Sequence, residues 1–303
     1  MNEMIILLLT ELRNQYKEKR NIYRVKAFDV AIANIKSYDN EIISGDHARK
    51  EIDGIGEGIA SRIDEILRTG TLEELKTSDR SITIATEILK GVTGIGNANA
   101  LKYVKQGIYT LEELQKAHDN GKIELTHHQL IGLKYYDDFN ERIPRKEMIR
   151  MEKLLLKESI KYCDQLIICG SYRRGLATSG DIDVLITSNE SCLQEFVKHL
   201  HKIKFLIDDL TTLGKKKYMG VAKIAKVARR IDIRYIEPAA FWAAVIYFTG
   251  SKEFNIMIRN EALKQGYSLN EYGLKKDGKL IHLKSENEVF DILGMKYIEP
   301  TER

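Results

Sequence analysis

The run GDIDVLIT, residues 180–187, constrains this chain more than any other stretch. Its aliphatic residues at 182 and 184–186 give it strand character. Side chains alternate along a strand, so Asp181 and Asp183 share one face while Ile182 and Val184 take the other. The apolar face requires a core. The acidic face carries adjacent negative charges that repel and are costly to desolvate unless positive charge lies between them. A divalent cation meets that need.

A second stretch, RRIDIR, sets Asp232 between Ile231 and Ile233, with Arg230 and Arg234 on the face of Asp232. If this strand lies beside GDIDVL, the carboxylates of Asp181, Asp183 and Asp232 converge. Magnesium suits such an oxygen-rich site, taking one or two carboxylates per ion and filling its octahedron with water and substrate phosphate. Two such ions stabilise the entering and departing oxygens of an in-line phosphoryl displacement. A single aspartate here would read more plainly as a cap or local ion pair; three at strand spacing do not. Upstream, the apolar LIICGS stretch ends a strand at Gly170-Ser171, where a helix start offers backbone amides and a hydroxyl to phosphate oxygens. One of Arg173 and Arg174 can turn inward to a triphosphate while the other pairs or stays solvated. Gly180 lets the backbone come close to a ligand. The set describes a nucleotidyltransferase palm.

Before residue 140 the periodicity is helical, with short Gly or Asx punctuation. An internal echo stands out there, Gly54-Ile55-Gly56 and Gly94-Ile95-Gly96, each followed by a helical period. This is the form of a helix-hairpin-helix, whose turn presents backbone N–H groups to a phosphate without reading a base. One copy would read as an ordinary helix turn; two suggest a grip on a nucleic-acid backbone. After Pro144 a helix leads into the strands above, KYMGVAKI and ARRIDIRYI read as a hairpin, and LKKDGKLIHL as another, turned at Asp277-Gly278. The fold class expected is α+β, with helical N-terminal domains, a palm with a mixed sheet and a small α/β C-terminal subdomain. The net charge of +4 leans only mildly toward polyanions, but Lys215, Lys216, Lys217, Lys223, Lys226, Arg229 and Arg230 cluster with no acid among residues 215–230, which favours phosphate contact over a solvated strand face.

The three cysteines lack CxxC spacing, so neither a disulfide framework nor a zinc site is expected, and an intracellular setting fits. His127 and His128 follow Thr126 at a helix start, where capping explains the sequence better than metal binding. The apolar Met4–Leu9 stretch is too short, and too closely bounded by Glu3 and Glu11, for a signal or membrane segment. No membrane partner is expected. No localisation signal is evident, leaving the nucleus or, for a virus-encoded protein, a cytoplasmic replication site.

These motifs together resemble the X family of DNA polymerases, most closely its compact beta branch. The resemblance rests on GIGEGIASRIDEILRTGTLEEL, TGIGNANALKYVKQGIYTLEEL, LTHHQLIGLKYYDDFNERIPRKEM, GSYRRG, SGDIDVLIT, RRIDIR, YFTGSKEFNIMIR, NEYGL and VFDILGMKYIEP, in family order along almost the whole chain. It implies an N-terminal lyase-type domain over residues 1–80, a DNA-binding subdomain over 81–141, the catalytic palm over 142–237 and a nucleotide-selection subdomain over 238–303, with neither a BRCT-like extension nor a phosphoesterase unit. It implies template-directed filling of gaps in base excision repair, with two magnesium ions for which manganese can substitute, and a monovalent cation at the hairpin turns. The ions would sit on Asp181, Asp183 and Asp232. Arg142, Ser171, Arg174, Gly180, Tyr247, Phe248, Gly250 and Asn255 would bind the incoming nucleotide. Lys19, Tyr23, Gly54, Gly56, Gly94, Gly96, Arg230, Arg234 and Arg259 would bind DNA. Phe248 stands where template-independent relatives tend to carry Trp. A monomer acting on gapped or nicked duplex DNA and deoxynucleoside triphosphates is expected, with ligase or other repair proteins as partners. Thr249 and Ser251 also read as helix caps. The rival readings are a template-independent or other nucleotidyltransferase and a non-catalytic DNA-binding scaffold.

Two departures from the family stand out. Its Schiff-base lysine position is Arg62, and a guanidinium has no lone pair with which to attack a carbonyl, which puts the 5′-deoxyribose-phosphate lyase activity in doubt. A nearby phosphate-binding lysine of the family is Gly58. Apart from the resemblance, an isolated arginine such as Arg62 reads as a solvated helix residue. Lys252 occupies a position that varies within the family, and nothing about fidelity follows from it.

Overall fold

In the computed structural model, residues 2–18, 20–75 and 79–303 are described. They separate into two compact units divided between Gln129 and Leu130. The first unit is helical: α1 (Glu3–Glu18), α2 (Ile22–Lys36), α3 (Gly45–Glu51), α4 (Glu57–Thr69), α5 (Asp79–Lys90), α6 (Asn97–Lys105) and α7 (Leu111–Asp119). Ile5, Leu8, Leu9 and Leu12 recur with the period of one helix face and are buried with Phe28, Ile35 and Ile63. This is why Met4–Leu9 is apolar. Side-chain caps mark several starts: Asn21, Ser44 and Thr110 accept from the amides of Arg24, His47 and Glu113. The expected cap at Thr126 is present, with the Gln129 amide donating to its hydroxyl at 3.3 Å.

The α8 helix (His127–Lys134) crosses into the second unit, which continues with α9 (Tyr136–Asn140), β1 (Ile143–Pro144), α10 (Arg145–Ser159), β2 (Gln165–Ile168), α11 (Gly170–Arg173), β3 (Thr178–Ser179), β4 (Ile182–Thr187), α12 (Cys192–Lys202), β5 (Leu206–Asp209), β6 (Lys217–Ala222) and β7 (Arg229–Tyr235). The central sheet has the order β2-β4-β7-β6-β5, with β4 and β7 parallel and the other neighbours antiparallel. The edge strand β5 is absent from the sequence expectation: Leu206-Ile207-Asp208-Asp209 is four residues long, half of them acidic, and gives little periodic signal. Val184 and Ile186 of β4 face a core with Met151, Leu155, Phe196 and Leu200 of α10 and α12.

The chain then forms α13 (Phe241–Thr249), α14 (Lys252–Lys264), β8 (Tyr267–Asn270), β9 (Gly273–Lys276), β10 (Lys279–Ile281) and α15 (Asn287–Ile292). The β9–β10 hairpin turns at Asp277 and Gly278, φ 50° and 74°, the doubly positive geometry that an Asp-Gly pair favours. Among the described residues no helix is long and apolar enough to cross a membrane.

Candidate active site

Parallel pairing of β4 with β7 sets Asp183 opposite Asp232. The next residue on that face of β4, Leu185, is buried among Phe241, Ala244 and Val245 of α13, so the aspartates lie where an apolar interface gives way to an open edge. Asp181 stands one residue before the strand, and Arg230 donates to its carboxylate. Lys217 Nζ lies 3.6 Å from Asp232 Oδ2, and an Arg234 nitrogen 4.0 Å from the same atom. Asp232 Oδ1 is buried without a hydrogen-bond partner. Burial, followed by the charges of Asp181 and Asp232, pushes the Asp183 carboxyl up to about 7. Burial also raises Asp232, although Lys217, Arg230 and Arg234 oppose it. The three side chains do not enclose a common point, and among the described residues no group of three potential ligands does, because Asp181 and Asp232 are turned toward these cations.

The turn after β2 is built tightly against this face. Gly170 has φ +60°, and a Cβ there would stand 2.7 Å from Asp183 Oδ2. Beyond it opens a cavity of about 770 Å³ lined by Gly170, Ser171, Arg174, Asp183, Tyr247, Phe248, Gly250, Asn255 and Arg259. Lys252, Ile256, Asn260 and Leu263 of α14 also line it, residues to which the motifs gave no role. Asn255 is held by donating to the Tyr247 carbonyl at 2.7 Å. Arg142 and Gly180 lie outside this lining; Arg142 spends its guanidinium on the Thr178 hydroxyl and carbonyl at 2.7 and 2.9 Å. Arg234 stacks over the Phe248 ring at 4.9 Å.

The adjacent arginines take different tasks. Arg174 lines the cavity and donates to the Thr249 carbonyl at 2.6 Å. Arg173 faces away, donating to the Thr249 hydroxyl at 2.8 Å and to both oxygens of Glu286 at 3.1 and 2.7 Å. Thr249 is therefore an acceptor at the end of α13 and not the helix cap expected, whereas Ser251 does cap α14. Glu286 also accepts from Arg303 at 2.6 Å, a guanidinium buried against Phe254, Phe290 and Tyr297. No spacing rule connects residues 113 apart, so this network had no local signal.

The basic cluster is partly spent within the protein: Lys216 donates to Glu237 at 2.6 Å, Lys217 lies beside Asp232 and Arg230 holds Asp181. Arg229 is 2% exposed and bonded to Glu147, Glu141 and the Glu141 carbonyl, so it anchors β7 to α10 and cannot meet a phosphate. Its position in the strand alternation, opposite in phase to Arg230, carried that information.

In the first unit both Gly-Ile-Gly turns adopt one form. Gly54 and Gly94 have φ of +81° and +94°, and a Cβ on Gly54 would stand 2.6 Å from a Val30 methyl. Gly56 and Gly96 cap α4 and α6 in ordinary extended backbone, with nothing within 4 Å of a Cβ. Gln129 donates to the Gly94 carbonyl at 3.0 Å. Tyr23 is 90% exposed on α2; Lys19 lies outside the described residues. Arg62 is not the solvated residue expected. It donates to the Gly58 carbonyl at 2.7 Å and to Glu74 at 2.5 Å, and Tyr16 donates to the other Glu74 oxygen at 2.8 Å.

Family models match this chain in four stretches: a helix-hairpin-helix domain over residues 1–72, the fingers domain of DNA polymerase lambda over 87–140, the DNA polymerase beta palm over 142–238 and the DNA polymerase beta thumb over 244–303. Among curated proteins, DNA polymerase lambda of Rattus norvegicus is 32% identical over 97% of this chain and 55% of its own length. DNA polymerase lambda of Arabidopsis thaliana is 34% identical over the full chain and 62% of its own length. The DNA polymerase type-X family protein pol4 of Schizosaccharomyces pombe is 25% identical over 99% of the chain and 64% of its length. The chain thus spans a little over half the length of these relatives. Aspartate-bearing parallel strands at a Gly-Ser turn, preceded by paired Gly-Ile-Gly hairpins, coincide with matches along nearly every residue, and the chain belongs to the X family of DNA polymerases.

Proposed function

We propose that the protein is a template-directed DNA polymerase that fills short gaps by adding deoxynucleotides to a primer 3′ end, in base excision repair. The observation that carries this reading is the register of Asp183 with Asp232 beside the Gly170–Ser171 turn, at the mouth of a cavity of about 770 Å³. The donor set fits a divalent cation in charge and chemistry: all oxygen, with a buried Asp232 oxygen that lacks a partner and an Asp183 carboxyl that burial and like charge destabilise as an anion. Asp181, Asp183 and Asp232 would hold two magnesium ions, or manganese in their place, whose chemistry when bound is Lewis-acid stabilisation of phosphoryl oxygens. Ser171 and Arg174 offer a hydroxyl and a guanidinium to the triphosphate, Tyr247 and Phe248 wall the sugar, and Asn255 meets the base edge. Asp232 activates the primer 3′ hydroxyl.

The paired Gly-Ile-Gly turns support a grip on the DNA backbone, because Gly56 and Gly96 leave open space that nothing inside the protein requires. A first-unit lyase activity is not part of this reading: Arg62 is a guanidinium committed to Glu74 and Gly58. The test is incorporation on a one-nucleotide gap with magnesium and deoxynucleoside triphosphates, with and without a template base, followed by borohydride trapping on a 5′-incised abasic site. Templated addition without a trapped adduct is the expected pair. Equal addition without template would favour an end extender, and no addition at all a scaffold.

A further inference from the structure

Lys252 is the residue of α14 that local rules fit least. Ser251 caps the helix by accepting from the Phe254 amide at 3.3 Å, and Glu253 supplies the acid of the first turn. A helix start exposes unpaired amides and partial positive charge, so an acid is favoured at its first position and a cation is not. Lys252 is exposed there, and among the described residues its ammonium forms no hydrogen bond or ion pair within the protein. Its neighbour Glu253 feels its charge but is held first by its own backbone N–H and by the Ser251 hydroxyl.

The surroundings indicate what the charge is for. Lys252 lines the cavity together with Ser171, Arg174 and Gly250. A Cβ on Gly250 would stand 3.2 Å from an Arg174 nitrogen and 3.7 Å from the Lys252 backbone nitrogen, so the start of α14 and the Arg174 guanidinium flank one spot on the wall. A residue that breaks a local rule, with no compensating partner inside the fold, marks a place where function sets the choice. We infer that Lys252 is a further substrate-binding residue, adding a second cation beside Arg174 for the phosphates of the incoming nucleoside triphosphate. The inference rests on reading this cavity as the nucleotide site. A lysine serves there as a mobile point charge, where Arg174 offers a fixed fork.

Two measurements on Lys252→Ala, Lys252→Arg and Lys252→Glu test it: equilibrium binding of a fluorescent deoxynucleoside triphosphate to the protein with gapped DNA and magnesium, and single-turnover incorporation. Alanine is expected to raise the half-saturating nucleotide concentration about fivefold, the scale of one partly exposed charge-assisted contact, and far more than it lowers the maximal rate. The difference shrinks as salt rises, and arginine restores most of the affinity. Glutamate weakens nucleotide binding further yet raises the melting temperature, since an acid suits the helix start. A merely structural role would move affinity and melting temperature down together. Unchanged nucleotide affinity in the glutamate variant overturns the inference, as does weakened DNA binding with unchanged nucleotide saturation. A wild-type protein that binds triphosphate but does not extend a primer sinks the polymerase reading alone, and the inference then stands or falls on the binding arm.

Discussion

At the residue scale, two positions show how close packing and charge set the site. Gly170 is squeezed between a positive φ and the Asp183 carboxylate, 2.7 Å from where a Cβ would stand. Gly170→Ala is expected to cost at least about 1–2 kcal/mol in backbone strain, plus a displaced Asp183, and to lower incorporation with it. A melting curve and a rate measured on one preparation check this, and a variant with wild-type values in both would show that the turn relaxes freely. Glu286 reports on the other side of the turn. Burial pushes its carboxyl up, but the paired guanidinium groups of Arg173 and Arg303 more than offset this and hold it below the ordinary carboxylate range. A carboxyl held lower in the folded than in the unfolded chain contributes stability above the unfolded value of about 4.3, and that stability is lost as pH falls through the folded value. Glu286→Gln should therefore melt well below wild type at neutral pH, with the gap closing under acid. A gap that stays constant from pH 7 to pH 3 would mean that the charge is not what Glu286 contributes.

At the element scale, the Gly-Ile-Gly turns separate what the fold needs from what a partner needs. Gly54 and Gly94 are required internally, by positive φ and, at Gly54, by the Val30 methyl. Gly56 and Gly96 are N-caps in extended backbone with open space around them. Serine is a better N-cap than glycine, so Gly56→Ser with Gly96→Ser should keep or slightly raise the melting temperature while weakening gapped-DNA binding. Alanine at Gly54 should do the reverse first, destabilising the unit before any DNA is added. Calorimetry paired with a binding isotherm separates the two, and a serine double variant with undiminished DNA affinity would place the contact elsewhere. Elements of this kind were legible in the sequence because their signals are local: a repeated tripeptide, an alternating strand, an Asp-Gly turn. Strand β5 was not, since four residues with two acids carry no period.

At the scale of the whole molecule, legibility follows contact order. The α+β class and the pairing of GDIDVLIT with RRIDIR were readable because the carboxylates reveal each other through chemistry. The Arg173–Glu286–Arg303 network, the burial of Arg229 and the Glu74 partnership of Arg62 were not. Each joins residues brought together only by the finished fold, where an arginine's surroundings decide whether it meets substrate, a buried acid or water. The cavity in turn drew in Lys252 from a helix start that the motif pattern leaves variable. On the function proposed above, Asp232 joins Asp181 and Asp183 in an acidic trio whose task is phosphoryl transfer. Single-turnover incorporation by Asp232→Asn on a one-nucleotide gap, measured beside gapped-DNA binding by the same preparation, tests it most directly. The rate is expected to fall by at least about a thousandfold, the scale of losing several kcal/mol of charge stabilisation, with DNA binding close to wild type. Incorporation near the wild-type rate would contradict the claim.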